Sequence, residues 1–520
     1  MQTSPSTLFA RSVLASSFAL LTSGLALAAD KLVIEAGRVI TRPGHEIKNG
    51  VIVIENGRIT KVGAQGEVDK PWDATVIGGP QYVAFPGFVE AQTSRGLDRP
   101  NENIDVAPFL DIRDSIDPIN FAYEDYLRHG VTTLNVQQGG NCVIGGRGMV
   151  VRPVGMTVDE MAVRTDYALK LSASPKAGKS AATQAMALRR AFEELRKRLE
   201  KQVQDKRDGK ARDKREALFQ GRELEGDKAK GRAMEGKGWR VDGLELVPRG
   251  ELDEKDLQLL ELVEGKRDAY VWCAAAMDVR KALDLAKENG FLERTTLVLA
   301  GDCWKAADVV AASGRPAILI PPLLHVETEP ITGKEVETPV AKVFAEKGVK
   351  FAIASETGQA SSLPSHHVLW YQAALAIGQG LPRERAIAAV TTVPAEILGL
   401  RDRVGSLEEG KDGNVLLLDG EPLSVRTHVQ FVVIEGKTAY DRSKDIRLKH
   451  LLEGKEPPGT QAGAADFGAA GAGKADAKKD ALKQDEAAER KAGEEQRKAD
   501  EKQSSGPHFS DADAAGEERG

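Results

Sequence analysis

Cys273 and Cys303 each stand at or just past an apolar run, AYVWCAA and TTLVLAG, of the kind that forms a buried strand. Thiols at the ends of adjacent strands are donors for a soft metal, and His325 or the pair His366-His367 supplies the nitrogen to complete such a set. Two plainer uses stand beside that one: small buried core residues, or a single disulfide. His325 follows the Pro-Pro end of another apolar run, PAILIPP, and is expected to face the same end of the molecule. His366 and His367 open a segment of helical pattern, HHVLWYQAALAIGQG, where a cap or a packing contact is the alternative. Glu356 follows the run VKFAIAS. A carboxylate there can act as acid or base without a metal if Arg95 or Arg152 steadies the developing charge, or it can simply pair with such an arginine.

These residues need a frame, and the runs around them describe it. Residues 31–80 carry β-branched segments broken by Gly and Asn-Gly, the pattern of antiparallel hairpins. The same texture returns in GSLEEGKDGNVLLLDG and HVQFVVIEGKTAY, so both ends are expected to pair in one small β domain. Between them GVTTLNV, MVVRPV, AYVWCAA, TTLVLAG, PAILIPP and VKFAIAS read as buried parallel strands, with helices such as VRKALDLAKENG between several of them. Repeated βα units predict an α/β fold, a (β/α)₈ TIM-type barrel with its site at the C-terminal strand ends. An open doubly wound sheet competes, but no G-x-G-x-x-G opens the first unit. The expected organisation is a signal peptide (1–29), a first β segment (30–85), the barrel (86–400) with a charged helical insert at about 181–245, a second β segment (401–445) and a low-complexity tail (457–520). In the insert Leu188, Phe192, Leu195 and Leu199 fall at helical spacing, and a dense mixture of both charge signs follows. The tail holds too little apolar surface to offset its ordering entropy and reads as disordered.

Composition narrows the function classes. Hydrophobic residues make up 41% and charged residues 29%, ordinary for a globular protein, and a formal charge of −6 gives a nucleic acid no electrostatic footing. Three cysteines are no disulfide framework. The uncharged run Ser12–Ala28 ends in Ala-Leu-Ala, an export signal with cleavage expected near Ala28 or Ala29; an uncleaved membrane anchor is the alternative. Removal would leave no integral membrane segment and a periplasmic or extracellular protein.

ENGRITKVG followed by FPGFVEAQTS, GVTTLNVQQGGNCVIGGRGMVV, and the long closing segment from TTVPAEILGL to VIEGKTAY together resemble the amidohydrolase superfamily, and within it exported imidazolonepropionase-like proteins. The resemblance covers roughly residues 31–440 and implies a (β/α)₈ barrel with a β-sandwich made from both chain ends. It also implies hydrolysis of non-peptide C–N bonds by water activated on one or two divalent metals such as zinc.

Carried over residue by residue, the resemblance implies a dismantled metal site and hence no metal cofactor. Paired histidines of the family fall on Gln92 and Ser94, the next histidine places on Trp272 and Ala274, and a further one on Ala300 and Gly301. The catalytic aspartate falls on Glu356, and a bridging lysine on Lys170 or Arg152. Pocket candidates are therefore Gln92, Ser94, Arg95, Trp272, Cys273, Cys303 and His325. The leading expectation is a non-catalytic protein that binds a small molecule at the barrel mouth or acts as a scaffold. The alternative is a hydrolase of amides or cyclic amides with an unorthodox site, and an interaction module using the insert and tail is a third.

Overall fold

The computed structural model describes residues 30–219, 241–355 and 368–454. The export-signal run, the insert beyond Phe219 up to residue 240 and the tail from Pro457 lie outside them. So do Glu356, His366 and His367.

The chain opens with Lys31–Arg42 (β1), His45–Glu55 (β2) and Arg58–Ala64 (β3), an antiparallel meander with Leu32 opposite Ile54 and Ile34 opposite Ile52. Asn56 and Gly57 both take positive φ, 51° and 81°, which is the two-residue turn an Asn-Gly pair is suited to make. Thr75–Pro86 (β4) then pairs parallel with β1.

Phe88–Thr93 (β5) and Val131–Val136 (β6) lie parallel. Ile144–Arg147 (β7), Met149–Val151 (β8) and Ala162–Arg164 (β9) follow. The strand β8 runs antiparallel to β6, so MVVRPV is a return strand and not a parallel one. It continues beyond β7 after a single glycine; the chain turns back in the short link after β6, where a parallel neighbour would need a long crossover. A parallel series starts with Leu169–Ser172 (β10), antiparallel to β7, and leads into Ala269–Cys273 (β11), Thr295–Leu299 (β12) and Ala317–Leu319 (β13). Leu324–Thr328 (β14) and Glu335–Pro339 (β15) form a separate hairpin, and Phe351–Ile353 (β16) completes the parallel run beside β13. The six-stranded order is β16-β13-β12-β11-β10-β7. Alternation divides these strands: Leu171, Val271, Leu297 and Ile353 join the core shared with the helices, whereas Tyr270, Val298, Ile318 and Ala352 join a second core with Val89 and Ala91 of β5.

Val415–Leu418 (β17), Val429–Ile434 (β18) and Lys437–Asp441 (β19) bring the chain's far end back to its beginning. Here β17 pairs antiparallel with β4, giving one continuous sheet in the order β19-β18-β17-β4-β1-β2-β3. Both ends do build one β unit. Its strands form one seven-stranded ladder in which β4 bonds to strands from both ends. A compact unit runs to Ser443; the described part of a second unit holds a short helix, Ile446–Leu452, whose first turn is capped by Asp445.

The insert begins as a 39-residue helix, Ala181–Phe219. Leu188, Phe192, Leu195 and Leu199 are all buried, and Phe192 stacks on Phe291 with centroids 5.6 Å apart. The first half of this helix is therefore a wall of the core and not a solvated appendage. Phe192→Ala should cost about 3–5 kcal/mol by urea unfolding, whereas Met186→Ala at an exposed position of the same helix should cost under about 0.5 kcal/mol. Equal effects from the two changes would contradict this placement.

Candidate functional site

Parallel strands deliver their C-terminal ends to one side, and two of those ends are tied together by a buried carboxylate. Beyond β16, the backbone N–H of Ser355 donates to both oxygens of Glu90 on β5, each at 3.1 Å. Tyr126, buried on the helix Phe121–Arg128, donates to Thr93 Oγ1 at 2.7 Å and lies 3.2 Å from Ser355 Oγ. Arg95 sits over the Tyr126 ring and bonds Asp125 at 3.0 Å. Asp125 in turn lies 3.6 Å from His129, which accepts from the Trp370 indole at 3.4 Å. Burial pushes the Glu90 carboxyl up to about 7, against the pull of its bonds from Ser355. Burial likewise pulls His129 down, which suits its acceptor role toward Trp370.

Beside this network lies an arc of buried polar atoms without partners among the described residues. Neither amide atom of Gln92 is bonded, nor Ser94 Oγ, nor either amide atom of Gln137, nor Gln138 Nε2, nor Lys170 Nζ. All five side chains are under 5% exposed. Native proteins leave few such groups, and each costs about 1–3 kcal/mol, so several together mark a place built to meet something else. Their order around the strand ends is fixed by the backbone. Gln137 N–H bonds Thr93 O at 2.8 Å, which joins β6 to β5. Gln138 Oε1 accepts from Gly146 at 3.1 Å, and a Cβ on Gly145 would meet Gln138 Oε1 at 2.4 Å and Lys170 Cβ at 3.4 Å. Only glycine allows both side chains to close over β7. Lys170 Nζ then stands 5.6 Å from the Trp272 ring centroid, and burial pulls its amine down to about 8.

The residues singled out from sequence fall into separate places. Gln92 and Ser94 lie in the arc, Arg95 in the Tyr126 network and Trp272 over Lys170. Trp272 fills its space tightly: a Cβ on Gly140 would meet the indole at 2.7 Å. Cys273 ends β11 and Cys303 follows β12, both free and buried. The Cys303 thiol donates to Cys273 O at 3.1 Å, and burial pushes it up to about 12 and Cys273 well above its usual range. Both thiols are therefore protonated near neutrality, and neither forms the disulfide the sequence allowed. His325 lies on the β14–β15 hairpin with its ring 5.9 Å from Trp304. Arg152 pairs with Glu435 in a separate cleft of about 790 Å³ that also holds Arg58 and Asp412, so of Lys170 and Arg152 only the lysine reaches the arc.

The donor set does not fit a divalent metal. Trp272, Ala274, Ala300 and Gly301 offer no ligand at the histidine places, Gln92 and Ser94 offer weak neutral oxygens, and the thiols keep their protons. Among the described residues no group of three or more His, Cys, Asp or Glu is arranged to hold a metal ion. Sequence reasoning passed over Glu90, Tyr126, Gln137 and Gln138. Glu90 had a visible signal, the one carboxylate in a short buried strand, and Gln137-Gln138 had another, two amides directly ending a buried run.

A family model described as "Amidohydrolase family" matches residues 352–440. Over 94 residues the chain is 33% identical to the amidohydrolase tasK of Hapsidospora irregularis, 18% of this chain and 10% of that protein. Over 117 residues it is 31% identical to an imidazolonepropionase of Thermoplasma volcanium, 21% of this chain and 28% of that one. The chain thus spans well under a third of either curated relative it matches. A crystal structure of an amidohydrolase from Thermotoga maritima MSB8 superposes with a TM-score of 0.61 at 23% identity, covering 79% of this chain and all of that one. An amidohydrolase-like α/β fold related to TIM-barrel enzymes is thereby shown.

Glu90 makes a prediction in stability. Below its ordinary value of 4.5 the carboxyl is neutral whether folded or unfolded; as pH rises through about 7 the folded protein must bury a charge and loses stability. Glu90→Gln keeps an oxygen for the Ser355 N–H and removes that charge. The variant should show no such decline in chemical denaturation across this window, and above it should exceed the wild type by about 3 kcal/mol. Parallel pH profiles for the two proteins would contradict the assignment.

Proposed function

We propose that this chain, a member of the amidohydrolase superfamily whose metal site has been dismantled, takes a small amide or cyclic amide at the strand ends and hydrolyses its C–N bond without a divalent metal. The observation that carries the reading is the arc of unpartnered amide and hydroxyl groups. Gln92 and Gln137 each present a donor and an acceptor, the complement of an amide, and a ligand offering both satisfies them together. Glu90 lies two residues before Gln92 and takes its backbone N–H, which places a carboxyl half ionised near neutrality at the edge of the arc. In the scheme, ionised Glu90 takes a proton from water as the water oxygen bonds the amide carbon. The side-chain N–H groups of Gln92 and Gln137 hold the oxyanion, and the same proton passes to the leaving nitrogen as the C–N bond breaks. The named activities of the two curated relatives support a hydrolase over a purely structural role.

Two further readings accompany it. We take β5 and β16 as adjoining staves of a closed (β/α)₈ barrel, supported by the Ser355–Glu90 link and by the core that Val89 and Ala91 share with Ala352. We also place the mature protein outside the cytoplasm, on the strength of the uncharged run Ser12–Ala28. A non-catalytic receptor is the second functional reading, favoured by one observation: both Glu90 oxygens already accept from Ser355.

A panel of lactams, cyclic imides and N-acyl amino acids separates the readings. Hydrolysis should survive exhaustive chelation, rise with pH through about 7 as Glu90 ionises, and fall by about 10²–10⁴-fold in Glu90→Gln. Loss of turnover on chelation, or full turnover in the variant, overturns the metal-free scheme. Saturable binding without turnover selects the receptor.

A further inference from the structure

The hydrolytic scheme leaves one ionisable group of the arc without a task. Lys170 is fully buried on β10, opposite Tyr270 in the ladder, and its Nζ has no hydrogen-bond partner among the described residues. The described groups acting electrostatically on it are the thiols of Cys142 and Cys273, themselves held protonated by burial. No described carboxylate is among them. An ammonium there would be a buried charge without a counterion, whereas a neutral amine needs none.

A neutral, desolvated amine is a nucleophile for carbonyl carbon. Its neighbours suit that chemistry. Gln138, flanking Gly145 with Lys170, keeps an unbonded N–H group that can hold a carbonyl oxygen. Trp272 lays an aromatic face near the amine, and of the side chains named around Lys170 it is the one that reaches solvent. We infer that Lys170 is a covalent attachment point for a small aldehyde or ketone, held as an imine in the arc beside Gln138 and Trp272. The lone pair of Nζ adds to the carbonyl carbon, the carbonyl oxygen takes up the displaced proton, and the carbinolamine expels water as the C=N bond forms. No oxidant or reductant is consumed, and addition of water reverses the step. The inference rests on that part of the proposed function which makes the arc a ligand pocket, and not on amide hydrolysis.

The test uses the folded full chain with propanal and sodium cyanoborohydride near neutral pH, followed by peptide mapping. Lys170 should be alkylated at least about ten-fold faster than the median lysine. Lys170→Met keeps the stem's packing and removes the amine; it should lose that adduct while melting at or above the wild-type temperature. Alkylation of surface lysines with Lys170 unmodified, or modified no faster than the median, overturns the inference. Rapid labelling in a protein inert toward every cyclic amide supports the inference and removes the hydrolase; metal-free turnover with Lys170 unlabelled does the reverse.

Discussion

A single backbone N–H, that of Ser355, bonded to both oxygens of Glu90 joins the end of the last parallel strand to the first. These two strands belong to different sheets, so this bond and the apolar contacts beneath it hold the two edges together. Everything at the strand ends hangs on that link. Tyr126 reaches Thr93 and Ser355 only while both strands stay in place, and Arg95, Asp125 and His129 are arranged outward from Tyr126 in turn. The carboxyl that makes this link is also one that burial raises to about 7, so the bonds from Ser355 and the cost of burying a charge act on one group.

Glu90 and Lys170 are displaced in opposite directions by the same cause. Burial raises the acid and lowers the base, and both changes favour the uncharged form. A site organised around a divalent cation must gather negative charge; this one sheds charge of both signs. Its remaining polarity comes from amides and hydroxyls, which discriminate by hydrogen-bond pattern and shape. Keeping so many unpaired polar atoms buried costs stability that an apolar replacement would recover, which is the usual mark of residues retained for function.

The fold was largely legible because it rests on periodicity and turn chemistry. GVTTLNV, AYVWCAA, TTLVLAG, PAILIPP and VKFAIAS all became parallel strands, and Leu188, Phe192, Leu195 and Leu199 all became buried helix positions. The errors lie where local pattern is silent about pairing. MVV is as apolar as its neighbours, and only its short separation from β6 reveals that it turns back; KLS of β10 is too short and too polar to announce itself. The site was less legible. Gln92, Ser94 and Trp272 stood out in the sequence, but that Lys170 lies within the arc while Arg152 pairs elsewhere depends on which face each strand presents. No single segment carries that information.

Trp272 sets how much room the arc has. Its indole occupies the space beside Gly140 so closely that even a methyl group there would collide with it. A smaller side chain at this one position would open a void next to Gly140 and Lys170. The tryptophan thus acts as a spacer: enlarging the room around the amine costs packing before any new ligand can offset it.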